Sequence, residues 1–482
     1  MPKPAPFLIA LSLASASVWL RFLAFGQTPY ANGWDSYFYL VQVKSIVETG
    51  QMHSPEASLF YPYLHAWYLL SGDYITALKM GTAVLCGIFT GLLCRYHPSM
   101  PVLGAWSLCS PHLTYFAAQY PKNMLGMVML LAFVQALQWS GKRGRWWLFL
   151  PLLLLIANYF GHRFTFGLAL VYGLLWLFFS AGGCSGYLRK ALVGGFLLLG
   201  LFVLAGQVFP GLAHLADWGR LRGDLSWRPQ FSAWSFVQSF GFERIGVWWA
   251  SEIALVLGIW LWALFSPKNR RDNPALFWLC GLLLFPFLEW TLTGMAWRMF
   301  LVFLLLAPLS VDFQQIEKKT RLVLMIALVS LSFFSWRSYQ PRLHDPAYAL
   351  FERITRNTQR HFSDNLQPGP ELFIAHNALA EYFTFSTGWD AMPWLPEYPI
   401  DSNRLWRIAA TQHEPSLRYY TGAEWEGTVK PLGGRYFLLP EHIWQTALQK
   451  AQLEGDSVFL QRAMSWQNPH RMRPGFLLRR KG

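Results

Sequence analysis

An acid stands early in the chain among aromatic residues. It is Asp35, in the stretch YANGWDSYFYLVQVKSIVETG from Tyr30 to Gly50. A carboxylate there can take a proton from an attacking hydroxyl or amide, or can cap the following helix by accepting its free backbone N–H groups. Cations recur further on: Lys122 in the QYPKN turn, Arg163 beside His162, and Arg298 in GMAWRMFLVFLLLAPLS. Positive groups gathered on one leaving group suit a phosphate or diphosphate, whose growing negative charge they stabilise. The plainer readings are a snorkelling anchor for Lys122 and satisfied polar groups for His65 and His162. Glu289 interrupts an apolar run, where a charge needs a partner such as Arg298. P-loop, HExxH, GxSxG and dinucleotide fingerprints are absent.

These residues are carried by a membrane-embedded frame. The 482 residues are 54% hydrophobic and 17% aromatic, and long apolar runs recur through residue 337 and then stop. At the length needed to cross a bilayer they make about 11 helices. Their centres fall near residues 16, 84, 107, 131, 153, 172, 199, 256, 283, 304 and 329. The first run holds Arg21 and lacks a small-residue cleavage site, so it reads as a retained span. Every second connection is basic: Arg95; Lys142, Arg143 and Arg145; Arg189 and Lys190; Lys268, Arg270 and Arg271; Lys318, Lys319 and Arg321. That alternation places those loops and Lys3 in the cytoplasm, and Asp35 and the C-terminal tail on the opposite side.

The formal charge of +14 invites a nucleic-acid reading, but 16 Lys/Arg against 14 Asp/Glu follow residue 337, so the tail is nearly balanced. The excess lies in short membrane loops, a pattern of topology rather than of DNA binding. Cys86, Cys94, Cys109, Cys184 and Cys280 all lie in or beside the spans, which indicates neither a disulfide framework nor a zinc site in the tail. Arg220, Arg222, Arg228 and Arg244, in a long outward loop, suit anionic headgroups as well as a substrate.

Within the first outward loop (27–73), Tyr37, Leu40, Val41, Lys44, Ile46 and Val47 recur at helical spacing. They predict a short amphipathic helix on the membrane surface, led by Asp35. Tyr61 to Leu70 predicts a second surface helix or partial re-entry, with Asp73 capping the next span. From about residue 345 the pattern changes. Helices are expected over 345–361, from 377 and over 441–453, with strands over 371–375 and 435–439. The fold class read from the sequence is therefore a polytopic α-helical membrane protein. Residues 1–340 form the transmembrane domain, and 341–482 form a small α/β soluble domain on the outward side.

Taken in order, the motifs resemble the GT-C superfamily of integral-membrane glycosyltransferases, over residues 1 to 310. The superfamily includes the protein O-mannosyltransferases, the aminoarabinose transferase acting on lipid A and the oligosaccharyltransferases. The motifs are GWDSYFYLVQVKSIVETG, YPYLHAWYLLSGDYITALKM, QYPKNMLGMVMLLAFVQAL and WRMFLVFLLLAPLS. The resemblance implies transfer of a sugar or glycan from a polyprenyl phosphate or diphosphate to a protein, lipid or glycan acceptor at the outer face. It implies Asp35 as base or acceptor-orienting acid, and Lys122, Arg163, Arg298 and His162 around the donor phosphate. Tyr37, Tyr61, His65, Gln119, Tyr120 and Glu289 would line the substrate cavity. Gln119 stands where several members carry an acid, which argues against a two-acid, metal-assisted site; no other cofactor is implied. The expected setting is a bacterial inner membrane, with the N-terminus cytoplasmic and the C-terminal domain periplasmic. The competing reading is a flippase or transporter for a lipid-linked glycan, which predicts charges along an intramembrane path and internal pseudo-symmetry. A scaffold would leave the outward cations unexplained.

Overall fold

A computed structural model describes residues 4–33, 35–53, 56–96, 101–140, 149–179, 247–265, 273–284, 295–311, 317–339, 347–362, 373–375, 377–389, 391–393, 436–440, 466–472 and 475–480, with isolated residues at 194 and between 445 and 461. Among the described residues, four helices are long and apolar enough to cross a membrane: Phe7–Phe25, Tyr74–Cys94, Val247–Phe265 and Lys318–Arg337. Each expected centre falls on a described helix except 199, which lies outside the described residues.

The chain divides into two units, residues 1–33 with 54–344 and residues 34–53 with 345–482. The first opens with α1 (Pro4–Phe25), which exposes Phe7, Leu8, Leu11 and Trp19 while burying Arg21. Charge inside a span has to be tied down. Arg21 donates to Ser17 Oγ at 3.2 Å, to the Leu108 carbonyl at 2.7 Å and to that of Ser107. The next span, α4 (Tyr74–Tyr96), approaches α1 closely: a Cβ on Gly87 would stand 2.8 Å from the Ala14 carbonyl. Small residues allow this contact, which supplies packing where lipid offers no hydrophobic drive.

The run centred on residue 107 is two helices, α5 (Pro101–Cys109) and α6 (Pro111–Gln119). Pro111 has no N–H to give to the preceding turn, and Ser110 Oγ caps the restart by accepting from Leu113 N at 3.3 Å. A buried carboxylate holds the break. Glu252, on Val247–Phe265, accepts from Trp106 Nε1 on α5 at 3.0 Å and from Ser332 Oγ on Lys318–Tyr339 at 2.8 Å. His112 Nε2 of α6 stands 3.6 Å from the same oxygen. The Trp249 indole N–H donates to His112 Nδ1, so the imidazole proton sits on Nε2 and faces Glu252. The carbonyls beside the break, those of Ser107 and Leu108, are the ones Arg21 takes, and irregular backbone at membrane depth persists only where such partners exist.

The second unit holds helices Ala347–Phe362 and Asn377–Thr387 and a five-stranded sheet of order β2-β1-β3-β5-β4. The strands are β1 (Phe373–Ala375), β2 (Ala391–Pro393), β3 (Tyr436–Pro440), β4 (Trp466–Met472) and β5 (Gly475–Arg480). β1 pairs in parallel with β2 and β3, while β5 runs antiparallel to both β3 and β4. The helix Ala347–Phe362 buries Tyr348, Phe351, Ile354, Thr355 and Thr358 and turns Arg353, Arg356 and Arg360 to the opposite, exposed face.

One grouping differs from the sequence reading. The helix led by Asp35, α2 (Ser36–Thr49), belongs to the C-terminal unit. The sequence lays it on the bilayer, yet the Tyr37 ring packs against Tyr348, Tyr382 and Phe385 at centroid distances of 4.9, 4.8 and 5.4 Å. Helical periodicity shows that one face is apolar; it does not say whether lipid or protein covers that face.

Candidate functional site

In the first unit the site grows from the start of α7 (Pro121–Ser140). Pro121 fits the first helical turn and Lys122 follows it, where a long side chain can reach back past the helix end. Its ammonium forms an ion pair with Glu56 and stands 5.9 Å from the centroid of the Tyr61 ring. Tyr61, buried on α3 (Phe60–Ser71), donates its hydroxyl to the other Glu56 oxygen. Burial pushes the Glu56 carboxyl up, but the Lys122 charge and hydrogen bond, the Tyr61 hydroxyl and the Arg163 charge outweigh it. The group is held below the ordinary carboxylate range.

The segment carrying Glu56 is sewn to the turn that carries His162 and Arg163. Leu59 N donates to the Phe160 carbonyl at 2.7 Å and Ser58 Oγ to that of Gly161 at 3.4 Å. Ser58 Oγ also accepts from Phe60 N at 3.2 Å, which fixes the start of α3. The turn joins α8 (Phe149–Gly161) to α9 (Arg163–Phe179) and is braced from within. Thr165 Oγ1 donates to Asn158 Oδ1 at 2.7 Å, and His162 Nδ1 accepts from Phe164 N at 3.2 Å. Gly126 lets α7 meet this turn: a Cβ there would lie 2.1 Å from Thr165 Oγ1 and 2.9 Å from the His162 Cβ.

A second cationic position lies in the same unit. The Arg298 guanidinium stacks 4.4 Å from the centre of the Tyr120 ring, at the C-terminal end of α6. Gln119, the last residue of α6, is half-buried. Gly33 presses on it: with φ of 85°, a Cβ there would stand 2.9 Å from the Gln119 Cα and 2.1 Å from the Ala118 carbonyl. The backbone two residues before Asp35 is thus pinned in a conformation and a space that suit glycine.

The structure brings Lys122, Tyr61 and Arg163 together around Glu56, and Arg298 together with Tyr120. His162 sits in the turn beside Arg163, and His65 is half-buried on α3. Tyr37 is part of the aromatic core of the C-terminal unit, and Glu289 lies outside the described residues. Glu56 is the residue that sequence reasoning missed. No periodicity marks it; the available signal was an acid shortly before α3. It also bears on the missing acid at Gln119, because a carboxylate reaches Lys122 from another part of the chain.

In the second unit Asp35 occupies the N-cap position of α2, with φ −79° and ψ −1°, yet its side chain makes no capping hydrogen bond. The third helical N–H, that of Phe38, goes to the Glu381 carboxyl on Asn377–Thr387 instead. Of the two readings open to Asp35, a cap or a proton acceptor, its side chain does not take the first. Burial raises Glu381 well above the ordinary range, and the facing Asp35 charge adds to the rise. Lys44 closes the other end of the contact, donating to the Phe385 carbonyl at 2.8 Å. Among the described residues no group of three or more His, Cys, Asp or Glu could hold a metal ion.

No family model matches the chain, and no curated protein does. Solved structures do. ArnT from Cupriavidus metallidurans bound to undecaprenyl phosphate matches with a TM-score of 0.59, at 10% identity, over 97% of each chain. The fold is that of ArnT. The apo form of the same protein gives a TM-score of 0.58 at 10% identity, covering 97% of this chain and 96% of that one. ArnT is an aminoarabinose transferase of the GT-C superfamily. The ArnT likeness runs through both units, because it spans nearly the whole chain, whereas the motifs legible in the sequence stop near residue 310.

Proposed function

We propose that the chain is a GT-C-type glycosyltransferase that moves a sugar or glycan from a polyprenyl phosphate or diphosphate to an acceptor at the outer face of a bacterial inner membrane. The observation that carries this reading is an ArnT fold along the whole chain, in which the solved relative holds undecaprenyl phosphate. The Lys122, Tyr61 and Arg163 set supports it, since these groups already gather on an anion in this chain. In the proposed reaction an acceptor hydroxyl or amide attacks the anomeric carbon and Asp35 takes its proton. The bond from that carbon to the phosphate oxygen breaks, and Lys122, Arg163, Arg298 and His162 stabilise the departing phosphate. About 11 spans with a periplasmic C-terminal α/β domain complete the proposal.

Surface-glycan and lipid mass spectrometry of a deletion strain tests it, beside a complement carrying Asp35→Asn. An accumulated polyprenyl-linked sugar with a missing surface glycan, restored by wild type and not by Asp35→Asn, is the expected result. Undiminished transfer by well-expressed Asp35→Asn would remove Asp35 from the mechanism. Accumulation confined to the inner leaflet would favour a flippase.

A further inference from the structure

We propose that Glu56 is a built-in stand-in for the donor phosphate: its carboxylate occupies the anion position between Lys122 and Tyr61, and it must leave when the lipid phosphate enters. This rests on the reading of Lys122 and Arg163 as donor-phosphate groups and adds a competitor for them.

Three observations converge. Both Glu56 oxygens are engaged, one by the Lys122 ammonium and the other by the Tyr61 hydroxyl. These are the donor types that would hold a phosphate, and Arg163 adds its charge from the neighbouring turn. The pair is also largely withdrawn from water, with side-chain exposures of 12% for Lys122 and 28% for Glu56. Taking a cation out of water is costly unless an anion faces it, and Glu56 is an anion that faces Lys122. Finally, the segment is anchored just after Glu56. Ser58 and Leu59 hydrogen-bond to the 160–161 carbonyls, so Glu56 can withdraw while α3 and the cation-bearing turn stay in place.

The consequence is anion exchange. Phosphate entry replaces a carboxylate at the same cations instead of adding a charge to an open site. Donor affinity is then set lower than the cations alone would give, which favours release of the polyprenyl phosphate left after transfer.

The test measures undecaprenyl phosphate and undecaprenol binding to the full-length protein in nanodiscs, for wild type, Glu56→Gln, Glu56→Asp and Lys122→Ala. Each protein is first checked for monodisperse elution and for a thermal transition. Glu56→Gln keeps the shape and removes the charge; it is expected to bind undecaprenyl phosphate on the order of tenfold more tightly, with undecaprenol unchanged. Glu56→Asp keeps the anion and stays near wild type. Lys122→Ala weakens phosphate binding. If Glu56→Gln binds the phosphate equally or more weakly while Lys122→Ala weakens it, the stand-in is overturned and the phosphate site survives. If Lys122→Ala changes nothing, the phosphate site itself fails and the stand-in fails with it. Weaker binding by Glu56→Gln that disappears on chelation of divalent ions would instead make Glu56 a partner of the phosphate through a metal.

Discussion

The Lys122 ammonium and the Glu56 carboxylate, 66 positions apart in the chain, form an ion pair that Tyr61 completes from α3. Neither end is rigid alone. Lys122 takes its place from the proline-led start of α7, and Glu56 takes its place from the Ser58 and Leu59 hydrogen bonds to the α8–α9 turn. The pair therefore ties three elements of the first unit, and its chemistry has a pH signature.

Glu56 titrates below the ordinary carboxylate range in the folded protein. A depressed carboxylate contributes stability that is fully present above its unfolded pKa and is lost as pH falls through the folded value. Wild type is thus expected to unfold at a higher temperature than Glu56→Gln at pH 7. The two curves should converge as pH is lowered through 4 and below. A gap independent of pH would show that the pair contributes nothing through charge.

Glu381 has the opposite sign. Its carboxyl is raised, by burial first and by Asp35 second, so the folded state holds the proton more tightly than the unfolded chain. Stability is then lost as pH rises from the ordinary carboxylate range through the raised value. Glu381→Gln retains an oxygen for the Phe38 N–H and removes the ionisation, so its melting temperature should fall less than that of wild type as the pH is raised from 5 to 9. Asp35→Asn should reduce the same decline, because it deletes the facing charge. Parallel curves for wild type and Glu381→Gln would count against the coupling.

Tyr37 separates packing from substrate contact. Its ring is 1% exposed, among Tyr348, Tyr382 and Phe385. Tyr37→Ala removes a large buried ring, at a cost of about 3–5 kcal/mol to the C-terminal unit. Limited proteolysis should show faster cleavage of that unit in Tyr37→Ala and wild-type behaviour in Tyr37→Phe. Equal protection of all three would mean that the ring is not part of the core.

These cases show what could be read from the chain alone. Apolar runs and alternating basic loops located the helices, because crossing a bilayer demands length and apolar composition locally. Asp73 as a cap was equally legible: its Oδ2 accepts from Thr76 N at 2.7 Å, an interaction between neighbours in sequence. Asp35 met the same local pattern, and Glu381, distant in sequence, took the cap instead. Glu56 meets Lys122 from a segment held by the Ser58 and Leu59 hydrogen bonds to the 160–161 carbonyls, which no residue type announces. Strands β4 and β5 went unread because WQNPHRM and GFLLRR carry no clean alternation, and β3, which ties β5 into the sheet, is remote in sequence.

The buried carboxylate Glu252 tests whether intramembrane charge in this fold is structural or lies on a transport path. It binds Trp106 and Ser332 and faces His112, so it joins α5, α6 and the two long helices Val247–Phe265 and Lys318–Tyr339. Glu252→Ala leaves the Trp106 indole N–H and the Ser332 hydroxyl without their acceptor, at about 1–3 kcal/mol for each buried donor. Glu252→Gln keeps a carbonyl for both, so its loss of thermal stability in detergent should be the smaller. It should also retain sugar transfer at wild-type donor KM, because the group never meets substrate in this reading. A Glu252→Gln protein that is as stable as wild type but cannot move lipid-linked sugar across the bilayer would assign the carboxylate to a translocation path and favour the flippase reading.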